Sequence, residues 1–199
     1  MKAKELKELD PVELFRKWYL EAEKLEPNNP NACCLATTDI KGLPSARMIL
    51  VKKFDERGFV FYTNLNSKKA ENFSSNTKVA LCFHWKSLGK QVRVEGSIVD
   101  LPSKEADDYF AARDRDSQIG ALISKQSKPL SGGILELEKK FKLEKAKLGT
   151  RKIARPSFWS GKIIIPEKIE FWRSRDYRLH ERILYTTFNK GWKKEYLYP

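Results

Sequence analysis

The first pattern along the chain is helical. Leu14, Phe15, Trp18, Ala22 and Leu25 recur on one helical face, behind Asp10 as a capping side chain, Pro11 in the first turn and Glu13 placed to reach back. Pro27, Asn28, Asn29 and Pro30 end that element. From Cys33 onward the period shortens to runs rich in Val, Ile, Phe and Tyr, punctuated by turn signals at Asp39 to Gly42 and Asp55 to Gly58, which predicts an antiparallel meander. Further strands are expected at Lys78 to Trp85, Gln91 to Asp100, Lys162 to Ile165, Ile169 to Arg173, Arg178 to Phe188 and Trp192 to Leu197. Helical patterns fill Ser103 to Arg113, the stretch around Ser117 to Ile123, and Gly133 to about Leu148. Strands joined by tight turns, without regular strand and helix alternation, argue for a mainly β fold: an antiparallel barrel with peripheral α-helices. No repeat, low-complexity tract or linker divides the chain, and 199 residues suffice for one core, so residues 1–199 are expected to form one domain.

Composition narrows the partners. Lys and Arg outnumber Asp and Glu by 39 to 26, a formal charge of +13, which favours an anion: nucleic acid, an acidic membrane surface or a phosphorylated small molecule. Part of the excess is local, since Glu136 to Arg155 carries eight Lys or Arg against three Glu, as a solvated helix and tail or as a binding patch. No apolar run reaches the roughly 18 residues of a membrane span. The start, Met1 to Asp10, alternates Lys and Glu and lacks the apolar stretch of a secretory signal, so a cytoplasmic address is expected. Three cysteines, two of them the adjacent Cys33 and Cys34, do not make a disulfide framework. Cys82 and His84 alone are too few for structural zinc, and no metal is expected.

Four places carry candidate chemistry. Ser67 caps a helix whose first turn holds Lys68 and Lys69, where the helix dipole prefers acids; a bound phosphate would relieve that conflict, and ordinary surface lysines are the alternative. Arg47 to Lys52 reads as a strand with an apolar, buried middle and a cation at each end, and by parity Arg47 shares a face with Ile49 and Val51. Ala112 to Gly120 crowds Arg113, Asp114, Arg115, Asp116 and Ser117 at a helix junction, either an ion-pair cluster or a phosphate clamp with Arg113 as planar fork. Arg178, His180 and Arg182 are expected on one face of a strand shortly after Trp172, an arrangement better suited to function than to packing.

Taken together, Arg47 to Lys52, Phe61 to Asn64, Ser67 to Lys69, Gln91, Arg115 to Gly120, Ser124 to Ser127, Pro156 to Trp159, Ile169 to Trp172 and Arg178 to Arg182 closely resemble the pyridoxine/pyridoxamine 5′-phosphate oxidase family, in order and spacing from about Asp10 to Pro199. The resemblance implies a split β-barrel that binds flavin mononucleotide (FMN) at a homodimer interface. It also implies oxidation of pyridoxine or pyridoxamine 5′-phosphate to pyridoxal 5′-phosphate, with O2 as acceptor and neither nucleic acid nor membrane as partner. It assigns FMN contacts to Arg47, Met48, Ile49, Leu50, Val51, Lys52, Tyr62, Thr63, Lys68, Lys69, Gln91, Gln126, Ser127, Trp172 and Arg182. It assigns the substrate to Lys52, Tyr109, Arg113, Ser117, Arg178 and His180, with Arg178 and His180 as the catalytic pair that orients the substrate ring. The chain departs from the family pattern at Met1 to Leu9, which lacks the Arg and Tyr of a basic lid segment, at Ser160 in Trp159 to Gly161, and at Tyr196 where an Arg is usual. Two rival readings are another split-barrel flavin oxidoreductase, against which the Arg113 and Ser117 clamp argues, and a basic RNA-binding barrel.

Overall fold

The computed structural model describes residues 10–199; the Lys- and Glu-rich start and the missing lid pair fall on Met1 to Leu9, outside the described residues. Helix α1 (Pro11–Leu25) begins as its cap signals require, the Asp10 carboxylate accepting from the Val12 N–H at 2.8 Å. Glu13 does not reach back to close a capping box; it pairs with Arg16 one turn on. Leu14, Phe15, Trp18 and Ala22 are all buried. Phe15 meets Phe59 and Phe83 edge-on at 4.9 and 5.0 Å, and Trp18 meets Phe171 at 5.2 Å, so this one helical face seals the main core. Each such side chain contributes about 1.5–3 kcal/mol of burial.

That face lies on one antiparallel sheet of β1 (Ala32–Thr38), β2 (Pro44–Leu50), β3 (Lys53–Asp55), β4 (Gly58–Asn64), β5 (Lys78–Trp85), β6 (Lys90–Asp100), β7 (Trp159–Arg173), β8 (Glu181–Phe188) and β9 (Gly191–Leu197). The path runs β2-β1-β5-β6-β7-β4-β3, and β8 and β9 branch from β7. The curl brings the end of β2 back to β4, where the Lys52 N–H donates to the Val60 carbonyl at 2.8 Å. Between the strands sit α2 (Lys68–Ser75), α3 (Ser103–Ala112), α4 (Arg115–Ile123) and α5 (Gly133–Leu148), the last with no buried residue, as a solvated basic helix would be.

The branching corrects one expectation. Lys162 to Ile165 and Ile169 to Arg173 are not two strands but halves of β7, which pairs with β4 through Ile164 and with β8 from Lys168. Pro166 falls between those two partners and beside the bulge at Glu95 and Gly96, so the N–H it lacks leaves no ladder bond unmade. A proline that reads as a strand break instead marks where the barrel splits.

A second correction concerns Arg178 and His180, which do not lie on a strand. The β7–β8 ladder ends at Arg173 paired with Glu181, leaving residues 174–180 as the connection. Tyr177 and Arg178 turn it with φ of 56° and 61°, and the Arg175 N–H donates to His180 Nδ1 at 3.2 Å. Only Arg182 of the expected row stands on β8.

A third correction concerns Arg47 to Lys52. The strand stops at Leu50, and its apolar middle is not buried, for Met48 is 66% and Leu50 37% exposed. The parity is as read, with Arg47 and Ile49 half-buried and Val51 in the core, but β2 ends the sheet path and the described chain leaves its other face uncovered.

Candidate active site

A cleft of about 670 Å³ opens where β2, β4, the start of α2, the end of α3 and the segment after α4 converge. Arg47, Met48, Ile49 and Leu50 form one wall, with Lys52 just beyond. Arg47 is fixed from behind, its Nη1 donating to the Thr37 hydroxyl at 2.7 Å and to the Leu35 carbonyl at 3.1 Å, and burial lowers its pKa. Lys68 and Lys69 enter from the first turn of α2. Ser67 precedes that turn but makes no side-chain cap bond; its hydroxyl accepts from Lys69 Nζ at 3.3 Å, and Gln126 Oε1 accepts from the same ammonium at 2.9 Å. Lys69 is 8% exposed, and burial together with the nearby Arg47 charge pushes its pKa down to about 8.

The opposite wall is aromatic. Tyr62 stacks on Tyr109 with centroids 3.8 Å apart and planes 6° apart, and on Trp159 at 5.2 Å. Arg113 lies over Trp159 at 5.0 Å, within cation–π range. Burial, then Tyr109 and Glu105, raises the Tyr62 pKa to about 12, and burial raises Tyr109, so both phenols keep the proton they would donate. Gln126 and Ser127 sit on the turn after α4, where Ser127 adopts φ of 68° and Asn64 Nδ2 ties the segment down by donating to the Ser124 carbonyl at 3.0 Å.

Two features of this cleft call for a ligand. Arg47, Lys52, Lys68, Lys69 and Arg113 all line it, and among the described residues none of the five is in an ion pair, whereas Arg57, Arg93 and Arg155 elsewhere each meet a carboxylate. The Thr63 hydroxyl and Arg113 Nη1 are buried without a hydrogen-bond partner among the described residues. Orphaned buried polar groups are rare in folded proteins, and a multiply bonded anion satisfies both features.

The remaining expected residues lie elsewhere. Val51 is 4% exposed and belongs to the core. Ser117 is half-buried in the first turn of α4, its N–H donating to the capping Asp114 carboxylate at 2.9 Å, just before the Gly120 and Ala121 that do line the cleft. Gln91, Trp172 and Arg182 form a transverse row across β6, β7 and β8, on the sheet face turned away from α1. Arg182 Nε donates to Glu170 at 2.8 Å and Nη1 to the Tyr198 carbonyl at 3.0 Å. His180 packs on Trp172 at 4.7 Å, next to the exposed Arg178. Its Nδ1 accepts from the Arg175 N–H at 3.2 Å. Within one chain this second group does not line the cleft. Conversely, Asn64 and Trp159 do line it; each closes a motif that carries the family resemblance, but neither was assigned a contact.

Fold and cleft together define a split-barrel protein with a cationic, aromatic-walled site for an anionic ligand. Residues 20–142 match the family model described as pyridoxamine 5′-phosphate oxidase, and residues 159–199 match the pyridoxine 5′-phosphate oxidase C-terminal dimerisation region. The chain belongs to the pyridoxamine 5′-phosphate oxidase family. It is 50% identical over 198 residues to the pyridoxine/pyridoxamine 5′-phosphate oxidases of Brucella canis and Brucella suis, covering 96% of this chain and 94% of theirs. Among solved structures it is similar to PhzG from Burkholderia lata, crystallised with tetrahydrophenazine-1-carboxylic acid, at 27% identity and a TM-score of 0.89 over 97% of this chain and 94% of that one. An FMN-binding, pyridoxamine 5′-phosphate oxidase-related protein from Nostoc punctiforme shares the fold, with a TM-score of 0.79 at 16% identity over 96% of this chain and all of that one.

Proposed function

We propose that the chain is an FMN-dependent oxidase that converts pyridoxine or pyridoxamine 5′-phosphate to pyridoxal 5′-phosphate. Bound FMN supplies the two-electron acceptor that O2 returns to its oxidised state. The chain supplies charge and position. Arg47, Lys68 and Lys69 hold the flavin phosphate, supported by Thr63, Gln126 and Ser127, while Lys52, Tyr109, Arg113 and Ser117 hold the phosphate of the substrate. Two phosphates in one cleft account for five cations of which, among the described residues, none is in an ion pair, and that is the observation that carries this reading. Arg178 and His180 orient the substrate ring, so the reaction needs no protein nucleophile. They reach the site together with Gln91, Trp172 and Arg182 from the uncovered sheet face of a second copy, in an isologous homodimer. The exposed Met48 and Leu50 on β2 fit burial in such an interface. The free thiols of Cys33, Cys34 and Cys82 fit a reducing cytoplasm.

The test is the visible spectrum of the purified protein, identification of the released chromophore, and oxygen consumption with pyridoxine 5′-phosphate. A yellow protein that releases FMN and consumes O2 only with the phosphorylated vitamers is expected. A colourless protein that FMN does not activate would overturn the proposal. The dimer is checked by sedimentation, which should return about twice the 23.1 kDa chain mass.

A further inference from the structure

Thr37 and Asn72 are buried polar side chains, 2% and 1% exposed, that do not line the cleft. Thr37 sits on the core-facing side of β1, in line with Cys33 and Leu35, where another apolar residue would be ordinary. Its hydroxyl oxygen accepts twice: from Arg47 Nη1 at 2.7 Å and from Asn72 Nδ2 at 2.9 Å. Asn72 belongs to α2, one turn beyond Lys68 and Lys69. One oxygen atom therefore joins the strand that carries Arg47 to the helix that carries the two lysines.

The geometry divides the Arg47 guanidinium by function. Its Nη1 is spent on the Leu35 carbonyl and Thr37, which leaves Nε and Nη2, with three N–H groups, for the cleft. An arginine held by its back edge presents a fixed fork, and a fixed fork loses less freedom when it binds. The chemistry of the buttress matters as much as its position. A carboxylate at residue 37 or 72 would orient Arg47 equally well, but it would neutralise the charge that attracts an anion. Threonine and asparagine orient without neutralising.

We infer that Thr37 and Asn72 are positioning residues, a neutral relay that sets Arg47 and the Lys68–Lys69 turn in register as one phosphate-binding unit. This rests on the reading of those cations as the flavin phosphate site. The relay acts on the phosphate alone, so its loss should change the preference for FMN over riboflavin, which a general loss of packing would not do.

The experiment measures dissociation constants of FMN and riboflavin by flavin fluorescence for the full-length apoprotein and three variants. Thr37→Val keeps the volume and removes the acceptor; FMN should weaken about tenfold and riboflavin by less than about twofold. Thr37→Ser keeps the hydroxyl and should restore FMN affinity to within about twofold of the parent. Asn72→Ala leaves the Thr37–Arg47 bond unsupported and should weaken FMN about threefold, with riboflavin again unchanged. It also decides the matter if Thr37→Val fails to fold, since an unaltered FMN preference in Asn72→Ala overturns the relay. Equal weakening of both flavins in Thr37→Val, or failure of Thr37→Ser to restore FMN, also overturns it. A parent protein that binds riboflavin as tightly as FMN overturns instead the underlying reading of the site.

Discussion

In the cleft, Arg47, Lys69 and Arg113 are in no ion pair among the described residues; on the outward sheet face Arg182 is held by Glu170 at 2.8 Å, and Arg93 reaches the same carboxylate at 3.1 Å. The same residue types are thus treated in opposite ways in two regions of one chain. Compensated cations hold a surface in shape, while uncompensated ones, kept close together against their mutual repulsion, are set to meet a charge that is not part of the chain. The two regions also differ in completeness. The cleft is assembled from several elements of one chain, whereas the row of Gln91, Trp172 and Arg182 has side chains suited to a flavin and stands outside that cleft. The proposed homodimer joins them.

The largest effect should come from the cleft. Lys69→Ala removes a buried ammonium aimed at the proposed phosphate, and charge-assisted hydrogen bonds are worth about 1.5–3 kcal/mol, so FMN should weaken by between about tenfold and a hundredfold. Riboflavin should bind almost as before. Equal loss for both flavins in a fluorescence titration would place the phosphate elsewhere.

The division between the two regions is tested by mixing. Lys69→Ala damages the cleft and Arg182→Ala the row, so each homodimer should be impaired at subsaturating FMN. In a hybrid dimer, one of the two shared sites takes its cleft and its row from undamaged copies. Co-expression of differently tagged chains, with the hybrid purified through both tags, should therefore restore about half of parental activity. No recovery in the purified hybrid would mean that each site is built from one chain.

A smaller contrast separates substrate binding from orientation. Arg113→Lys keeps the charge at the proposed substrate phosphate and loses the planar fork over Trp159, so KM should rise about tenfold with kcat little changed. Arg178→Lys should lower kcat by about fivefold to tenfold, at least as much as it raises KM, because orientation counts most in the transition state. FMN content should stay near the parental level in both. A kcat for Arg178→Lys equal to that of the parent with flavin in excess would remove Arg178 from the reaction.

How much of this was legible in the residues depended on whether the determining contacts were local. Helix α1 and strand β5 follow directly from their periods, since burial on one face is written every third or fourth residue in one and every second in the other. The anomaly at Lys68 and Lys69 was visible for the same reason, as a mismatch between adjacent charges and a helix start. Parity placed Arg47 inward correctly, but parity names a face without saying what covers it, which is why Met48 and Leu50 were expected to be buried. Pro166 and the turn at Tyr177 and Arg178 depend on where β7 changes partners, a property of the register. Thr37 and Asn72 lie 35 positions apart, and nothing in either neighbourhood marks them as a pair. The row of Gln91, Trp172 and Arg182 could be assigned from resemblance, but its alignment across three strands could not.

The finest distinction between the two regions is their response to pH. Lys69 has its pKa lowered from 10.5 to about 8, first by burial and then by Arg47, and its hydrogen-bond partners among the described residues are the neutral Ser67 hydroxyl and Gln126 oxygen. For a base whose folded pKa lies below its unfolded one, protons bind the unfolded chain more tightly, so this residue opposes folding of the apoprotein below pH 8 and ceases to do so as pH rises from about 8 towards 10.5. Phosphate binding has the opposite sign, because it needs the ammonium. FMN affinity should therefore fall about fivefold to tenfold between roughly pH 7 and pH 9 while the apoprotein gains stability. The ratio of FMN to riboflavin affinity is the quantity to follow, since any titration of the shared ring cancels in it. Lys69→Arg, which stays charged across the whole window, should flatten that ratio. Arg182 offers a control on the other region: its carboxylate partner raises its pKa, so Arg182→Lys should leave the slope with pH unchanged even where it weakens both flavins. A ratio that is flat in the parent protein, or one that still falls in Lys69→Arg, would show that Lys69 does not carry the phosphate's counter-charge.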